Sequence, residues 1–110
     1  MLIELLYFDG CPSWEKGLVN LQAALSAEYI DSEIELVPVE TNAAALKERF
    51  LGSPSFRVNG VDLWPEQRNS YYLGCRVYPT SAGMQGAPTV AMIRERLAKL
   101  DLQSESPDSR

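Results

Sequence analysis

A strand that turns directly into a helix is the pattern that most constrains this fold. Residues 2–8, LIELLYF, form a nearly continuous apolar run, which is typical of a strand covered on both faces. A polar turn interrupts the run. Pro12 then suits the first turn of a helix, because proline lacks the N–H group that would have no partner there. From Trp14 onward, leucines recur at helical spacing, which predicts a helix over residues 12–28.

The rest of the pattern alternates strands and helices and then continues with a hairpin. It predicts a strand at 33–39, a short helix between Thr41 and Gly52, hairpin strands at 55–58 and 61–64, a short strand at 75–78, a loop at 81–87 and a final helix opened by Pro88. Pro38 indicates either that the second strand lies at an edge of the sheet or that its pairing stops there. This order predicts an α/β fold with a mixed sheet of four to five strands and helices on both faces.

The size of the chain fits one domain. Its 110 residues are 45% hydrophobic and 23% charged, an ordinary globular composition that can bury a core without disulfides. The two cysteines therefore need not be structural crosslinks. We expect the domain to span residues 1–101 and the polar segment 102–110 to form a disordered tail.

Charge and composition exclude several classes of function. A net charge of −5 with scattered basic residues argues against nucleic-acid or anionic-membrane partners. The absence of histidine excludes a Ser-His-Asp triad, a Cys-His dyad and a histidine-based zinc site. Two cysteines cannot complete a four-cysteine zinc or iron–sulfur site within one chain, so no metal or cofactor is expected. With no signal peptide or membrane-length apolar segment in the sequence, we expect a cytoplasmic protein with reduced thiols.

Two local motifs together resemble a known superfamily. Residues 8–14, FDGCPSW, place Cys11 at the first strand-to-helix turn, and residues 52–60, GSPSFRVNG, place Pro54 before a predicted hairpin, 43 residues further on. The first motif is similar to the active-site turn of the thioredoxin-like superfamily, and the second is similar to its cis-proline strand. The resemblance covers roughly residues 2–100 and implies a three-layer thioredoxin-like fold with Pro54 in the cis form.

The chain departs from the pattern of that superfamily in three places. The usual Cys-x-x-Cys motif is replaced by Cys-Pro-Ser-Trp at residues 11–14, so the neighbouring resolving cysteine is missing. Leu5 and Leu6 occupy the region where many thioredoxins carry a buried acid. The segment 65–87 is longer than a simple hairpin-to-helix connection, and it contains Cys75.

The thiols are the candidate catalytic groups. Cys11 is expected next to the first helix, where unpaired N–H groups and the helix dipole favour the thiolate, which is the reactive form. Cys75 is either a resolving thiol that forms a disulfide with Cys11 or a strand cysteine pointing into the core. The neighbouring Arg76 is expected to favour the Cys75 thiolate.

The resemblance also implies substrate-binding residues. The residue before the cis-proline, here Ser53, offers its backbone to an extended substrate beside Pro54. Pro12 and Trp14 follow Cys11 in the sequence and are candidates for the same surface. For Trp14, simple packing into the core is an equal alternative.

Three functions follow from these residues. The leading hypothesis is a thiol–disulfide oxidoreductase in which Cys11 is the single nucleophile and Cys75 or an external thiol resolves the mixed disulfide. Its partner would be a disulfide-containing protein or a low-molecular-weight thiol. One alternative is a protein that binds soft metals or metalloids, such as Hg(II), through its thiols. The other alternative is a non-catalytic thioredoxin-like binding module.

Overall fold

The computed structural model describes residues 1–105, which form three helices and six strands. In chain order these are β1 (Ile3–Tyr7), α1 (Trp14–Ala27), β2 (Ile34–Pro38), α2 (Asn42–Glu48), β3 (Ser55–Val58), β4 (Val61–Asp62), β5 (Tyr78–Thr80), β6 (Gly83–Gln85) and α3 (Val90–Glu105). The predicted α/β class is confirmed.

The main sheet has four strands in the order β2-β1-β3-β4. The central strand β1 pairs in parallel with β2 and antiparallel with β3, so that Leu5 lies between Leu36 and Phe56. The hairpin predicted at Asn59-Gly60 joins β3 to β4. The sheet is therefore mixed, as expected, and β2 with Pro38 lies at its edge. Strands β5 and β6 form a separate two-stranded sheet.

Helices cover both faces of the main sheet. Alternation along β1 directs Ile3 and Leu5 to one face and Leu6 to the other. The first face packs against α1 and α3, whose buried residues include Leu21 and Ile93. On the second face, Leu6 joins a smaller cluster with Val39, Ala45 and Phe50. The predicted arrangement of helices on both faces is confirmed, and it leaves the carboxyl end of β1 between the two layers.

Both of the first two helices are shorter than predicted. Helix α1 begins at Trp14 with Ser13 as its N-cap, so Pro12 lies in the turn before the helix and not inside it. Thr41 caps α2 as predicted, since its hydroxyl accepts a 3.0 Å hydrogen bond from the Ala44 N–H. That helix ends at Glu48, because Arg49 adopts a left-handed conformation with φ of 53° and terminates it before Gly52.

The segment predicted as a strand at 75–78 and a loop at 81–87 folds differently. Cys75 makes only an isolated parallel bridge with Ser53, and the strand β5 starts later, at Tyr78. Part of the predicted loop forms β6. Helix α3 continues to Glu105, so the domain boundary predicted at residue 101 falls inside a helix. The rest of the predicted tail, 106–110, lies outside the described residues.

None of the helices in the described part of the chain is long and apolar enough to cross a membrane.

Candidate functional site

Cys11 lies in a tight turn at the carboxyl end of β1. Its N–H donates a 3.0 Å hydrogen bond to the carbonyl of Phe8, which closes the turn. Because α1 begins at Trp14 and not at residue 12, Cys11 lies two residues further from the helix than the sequence predicted. The cysteine is only 3% exposed, and its thiol donates a 3.3 Å hydrogen bond to the carbonyl of Ser53. Its sulfur therefore faces the β3 side of the site and is turned away from solvent.

The Ser53–Pro54 peptide bond is cis, which confirms the prediction for Pro54. Helix α1 lies directly on this proline, since a Cβ atom added to Gly17 would come within 3.0 Å of Pro54 Cγ. On its other side, the Tyr78 hydroxyl donates a 2.5 Å hydrogen bond to the Pro54 carbonyl. Burial raises the pKa of Tyr78, so this hydroxyl stays protonated and remains a donor. The proline is thus clamped between α1 and β5.

Ser53 connects the pieces of the site, and all of its polar groups have partners inside the chain. Its N–H donates to the carbonyl of Gly74 at 2.8 Å, and its carbonyl accepts from the N–H of Arg76 at 3.0 Å as well as from the Cys11 thiol. Its hydroxyl accepts a 3.2 Å hydrogen bond from the N–H of Phe8. With these bonds and no exposed surface, Ser53 has no backbone group free to pair with an extended substrate in this arrangement.

The segment that carries Cys75 lies against Ser53, the residue whose carbonyl accepts the hydrogen bond from the Cys11 thiol. The bridge between Ser53 and the 74–76 segment brings the two cysteines together, and their thiols are close enough to interact. Desolvation of its sulfur, a hydrogen bond with the Cys11 thiol and like charge on Cys11 all raise the pKa of Cys75. Unlike Cys11, Cys75 is exposed, and neither cysteine is in a disulfide. Of the alternatives for Cys75, the structure therefore favours a thiol beside Cys11 over a residue of the core.

Arg76 anchors the segment that carries Cys75, a role that sequence reasoning missed. It is 4% exposed, and its guanidinium forms a salt bridge with Asp62, at 3.0 Å between Nη1 and Oδ2. The same group donates to the hydroxyl of Ser55 at 3.2 Å and to the carbonyl of Trp64. Cys75 and Val77 are exposed whereas Arg76 and Tyr78 are buried, the reverse of what apolar cysteine and valine beside a charged arginine would predict, so the sequence pattern carried no signal for this anchor.

The expected effect of Arg76 on the neighbouring thiol is not found. The guanidinium points into the buried network around Asp62, whereas Cys75 faces solvent and Cys11. None of the causes that act on the Cys75 pKa comes from Arg76, and together they raise that pKa. In an extended segment, consecutive side chains point in opposite directions. Arg76 is therefore next to Cys75 in the sequence, but its guanidinium is directed away from the Cys75 thiol.

Two residues predicted to contact substrate lie at the edge of the site. Trp14 stacks on Tyr7 with ring centroids 4.1 Å apart and packs partly against the core between α1 and the sheet. For Trp14, the core-packing alternative is therefore the one that the contacts favour. Pro12 is exposed in the turn next to Cys11, and its contact with substrate stays a prediction.

The described residues contain no group of three or more Cys, Asp or Glu side chains placed to hold a metal ion. A surface groove of about 820 Å³ lies between the end of α1 and β2, lined by residues such as Leu18, Tyr29 and Ile34. It is at the amino ends of β1 and β2, the opposite end of the sheet from Cys11. The groove is therefore separate from the thiol site.

Comparisons of the chain with models of protein families, with curated proteins and with solved structures find no match. The resemblance to the thioredoxin-like superfamily therefore stays a hypothesis that rests on the motifs and on the geometry of the site.

The contact between the thiols predicts how Cys75 titrates. Replacing Cys11 with alanine removes the hydrogen bond and the like charge that raise the pKa of Cys75. We therefore expect the pH midpoint of Cys75 alkylation by iodoacetamide, followed by peptide mass spectrometry, to move to lower pH in Cys11→Ala. The urea-unfolded chains are the control, because their Cys75 midpoints should coincide. An unchanged midpoint in the folded variant would show that the two thiols do not interact.

Proposed function

We propose that this chain is a thioredoxin-like thiol–disulfide oxidoreductase whose redox centre is the pair Cys11 and Cys75. The observation that carries the proposal is the convergence of both thiols on Ser53. The Cys11 thiol donates a hydrogen bond to the carbonyl of Ser53, and Cys75 belongs to the segment 74–76, whose backbone is hydrogen-bonded to that of Ser53.

Several features support a thioredoxin-like arrangement. A parallel β1-α1-β2 unit presents a cysteine at its first turn, and the thiol of that cysteine bonds the carbonyl of the cis peptide bond Ser53–Pro54. An antiparallel hairpin and helix α3 follow in the chain. In this arrangement Cys75 supplies the second thiol that the Cys-Pro-Ser-Trp turn lacks. It comes from the 65–87 segment, far from Cys11 in sequence, and not from α1.

The chemistry is a two-electron exchange between a dithiol and a disulfide. One thiolate attacks a disulfide RSSR and forms a mixed disulfide as one RS⁻ leaves; the second thiolate then attacks the protein sulfur of that bond and releases the other RS⁻. The protein dithiol is oxidised to a Cys11–Cys75 disulfide. RSSR is reduced to two thiols, which take up the two cysteine protons. The partner is a disulfide-containing protein or a low-molecular-weight disulfide.

The test is whether the pair forms a disulfide and whether exchange depends on both cysteines. We expect oxidised glutathione to convert the reduced protein into a species with a Cys11–Cys75 linkage, identified by peptide mass spectrometry under non-reducing conditions. Cys11→Ser and Cys75→Ser should each abolish this linkage and the release of the second glutathione. Ser13→Ala is the matched control, because it changes a small polar side chain beside Cys11 and leaves both thiols in place.

Two results would contradict the proposal. Full two-electron reduction of glutathione disulfide by Cys11→Ser would show that the pair is not the redox centre. Failure of the wild-type chain to form the linkage, together with binding of one Hg(II) that protects both cysteines from alkylation, would instead favour the soft-metal alternative.

A further inference from the structure

The two thiols differ in their access to a second molecule. Attack on a disulfide requires the sulfur of the thiolate to approach a substrate sulfur directly, so rates depend on access as well as on ionisation. Cys11 is 3% exposed, and its thiol is directed at the carbonyl of Ser53. Cys75 is exposed. A disulfide that arrives from solvent therefore meets the sulfur of Cys75 first.

The chain itself occupies the place where an extended substrate would pair. The N–H of Ser53 is bonded to Gly74 and its carbonyl to the N–H of Arg76, so that residues 74–76 lie along Ser53 as an added parallel strand would. A protein segment cannot form these two bonds unless residues 74–76 leave. A small disulfide needs no such backbone pairing to reach an exposed thiol.

These two observations deepen the proposed function, on which the following inference rests. We propose that Cys75, not Cys11, is the attacking thiol, that its substrate is a low-molecular-weight disulfide, and that Cys11 is the buried resolving thiol. This reverses the roles that the sequence motif predicted for the two cysteines.

The steps balance as a single turnover. The Cys75 thiolate, its proton released to solvent, attacks RSSR, so that a Cys75–SR bond forms and RS⁻ leaves. Cys11 then loses its proton and attacks the Cys75 sulfur from inside, forming the Cys11–Cys75 bond and expelling the second RS⁻. Because the departing thiolates take up two protons, the net change is one dithiol oxidised and one RSSR reduced to two RSH.

The environment of Cys75 shapes the rate of the first step. Desolvation and the Cys11 thiol raise the pKa of Cys75, which lowers its thiolate fraction at neutral pH. A thiolate of higher pKa is also the stronger nucleophile once it is formed. Exchange should therefore be slow at neutral pH and should accelerate as the solution is made more alkaline.

The experiment uses the full-length chain, glutathione disulfide as the probe and two single-cysteine variants. Cys11→Ser should accumulate one glutathione on Cys75, since no resolving thiol remains. Cys75→Ser should form its mixed disulfide at least about tenfold more slowly than Cys11→Ser, because its remaining thiol is buried. In urea both variants should react at similar rates, which separates burial from intrinsic reactivity. Near-UV circular dichroism checks that each variant is folded, and Cys11→Ala replaces Cys11→Ser if the serine variant is not.

The outcomes separate this inference from the function on which it rests. Suppose that the wild-type chain forms the Cys11–Cys75 disulfide, but that Cys11 in folded Cys75→Ser reacts with glutathione disulfide as fast as Cys75 does in Cys11→Ser. The proposed roles of the two thiols would then be wrong, while the redox pair itself would be supported. Equal, slow reaction of both folded variants also overturns the roles. If the wild-type chain forms no such disulfide, both proposals fail.

Discussion

Replacing Arg76 with methionine should lower the free energy of unfolding by about 3–5 kcal/mol. Methionine fills part of the same volume but leaves the Asp62 carboxylate buried without its 3.0 Å ion pair. It also removes the hydrogen bonds to the hydroxyl of Ser55 and the carbonyl of Trp64. The cost is large because an uncompensated buried charge keeps its full desolvation penalty. Urea denaturation at pH 7, followed by tryptophan fluorescence, measures it.

Two further variants test whether the buried charge is the cause. Arg94→Met removes a 2.8 Å ion pair with Glu28, but Arg94 is 49% exposed, so the expected loss is at most about 1 kcal/mol. The double variant Arg76→Met/Asp62→Leu removes both buried charges and should recover much of the lost stability. A double variant no more stable than Arg76→Met would place the effect in packing and not in the unpaired carboxylate.

The same explanation makes the loss depend on pH. Burial already raises the pKa of Asp62, and Arg76 offsets part of that rise. Without Arg76 the folded-state pKa rises further, so the folded variant binds this proton more tightly than the unfolded chain does. Protonation then favours the folded state. The difference in stability between wild type and Arg76→Met should therefore shrink as the pH falls from 7 towards 4.

The β1-turn-α1 unit was predictable because its signals are local, whereas the cis form of Pro54 was expected only from the resemblance of residues 52–60 to a thioredoxin-like motif. An apolar run, a polar turn and a helical repeat each act within a few residues, and they place Cys11 at the end of β1. The Asn59-Gly60 dipeptide likewise specifies its hairpin, since both residues adopt positive φ there. Such features depend mainly on residues that are close in sequence and little on tertiary contacts.

The 65–87 segment was not predictable from the sequence because long-range contacts hold it. Cys75 is placed by bonds to Ser53, and Arg76 by a salt bridge to Asp62. Strand β6 has only exposed residues, so no hydrophobic pattern marked it. The sequence identified both thiols but not which one faces solvent, since exposure depends on how this segment folds over the turn.

The residue at which α2 ends was also not predictable from the local sequence. A glycine is the usual left-handed residue after a helix, so Gly52 was the natural choice for its end. Arg49 takes that conformation instead. The side chain of Arg57 then donates to the carbonyls of Glu48 and Arg49, which satisfies acceptors that the helix leaves open. Because this donor comes from β3, no sequence pattern within α2 could predict where the helix ends.

Gly52 has a different function, and Gly52→Ala should cost about 3 kcal/mol or more. Its φ of +113° is one that an alanine rarely adopts. The added Cβ would also lie 2.9 Å from the Arg76 Cβ and 3.1 Å from the Arg76 backbone nitrogen and Cα. Backbone atoms cannot move aside as a flexible side-chain end can, so the 74–76 segment must shift away from Ser53. Urea denaturation measures the loss of stability.

Gly60→Ala is the matched control, because Gly60 also has a positive φ, of +85°, but an added Cβ there meets no atom within 4 Å. Its cost should be limited to backbone strain, about 1 kcal/mol. The two variants should differ even more in redox behaviour. Gly52→Ala separates the segments that carry the thiols, so under conditions where both variants are folded it should form the Cys11–Cys75 disulfide more slowly than wild type. Gly60→Ala should match the wild-type rate. If both variants formed the disulfide at the wild-type rate, the close approach of Gly52 to Arg76 would not be what holds Cys75 beside Cys11.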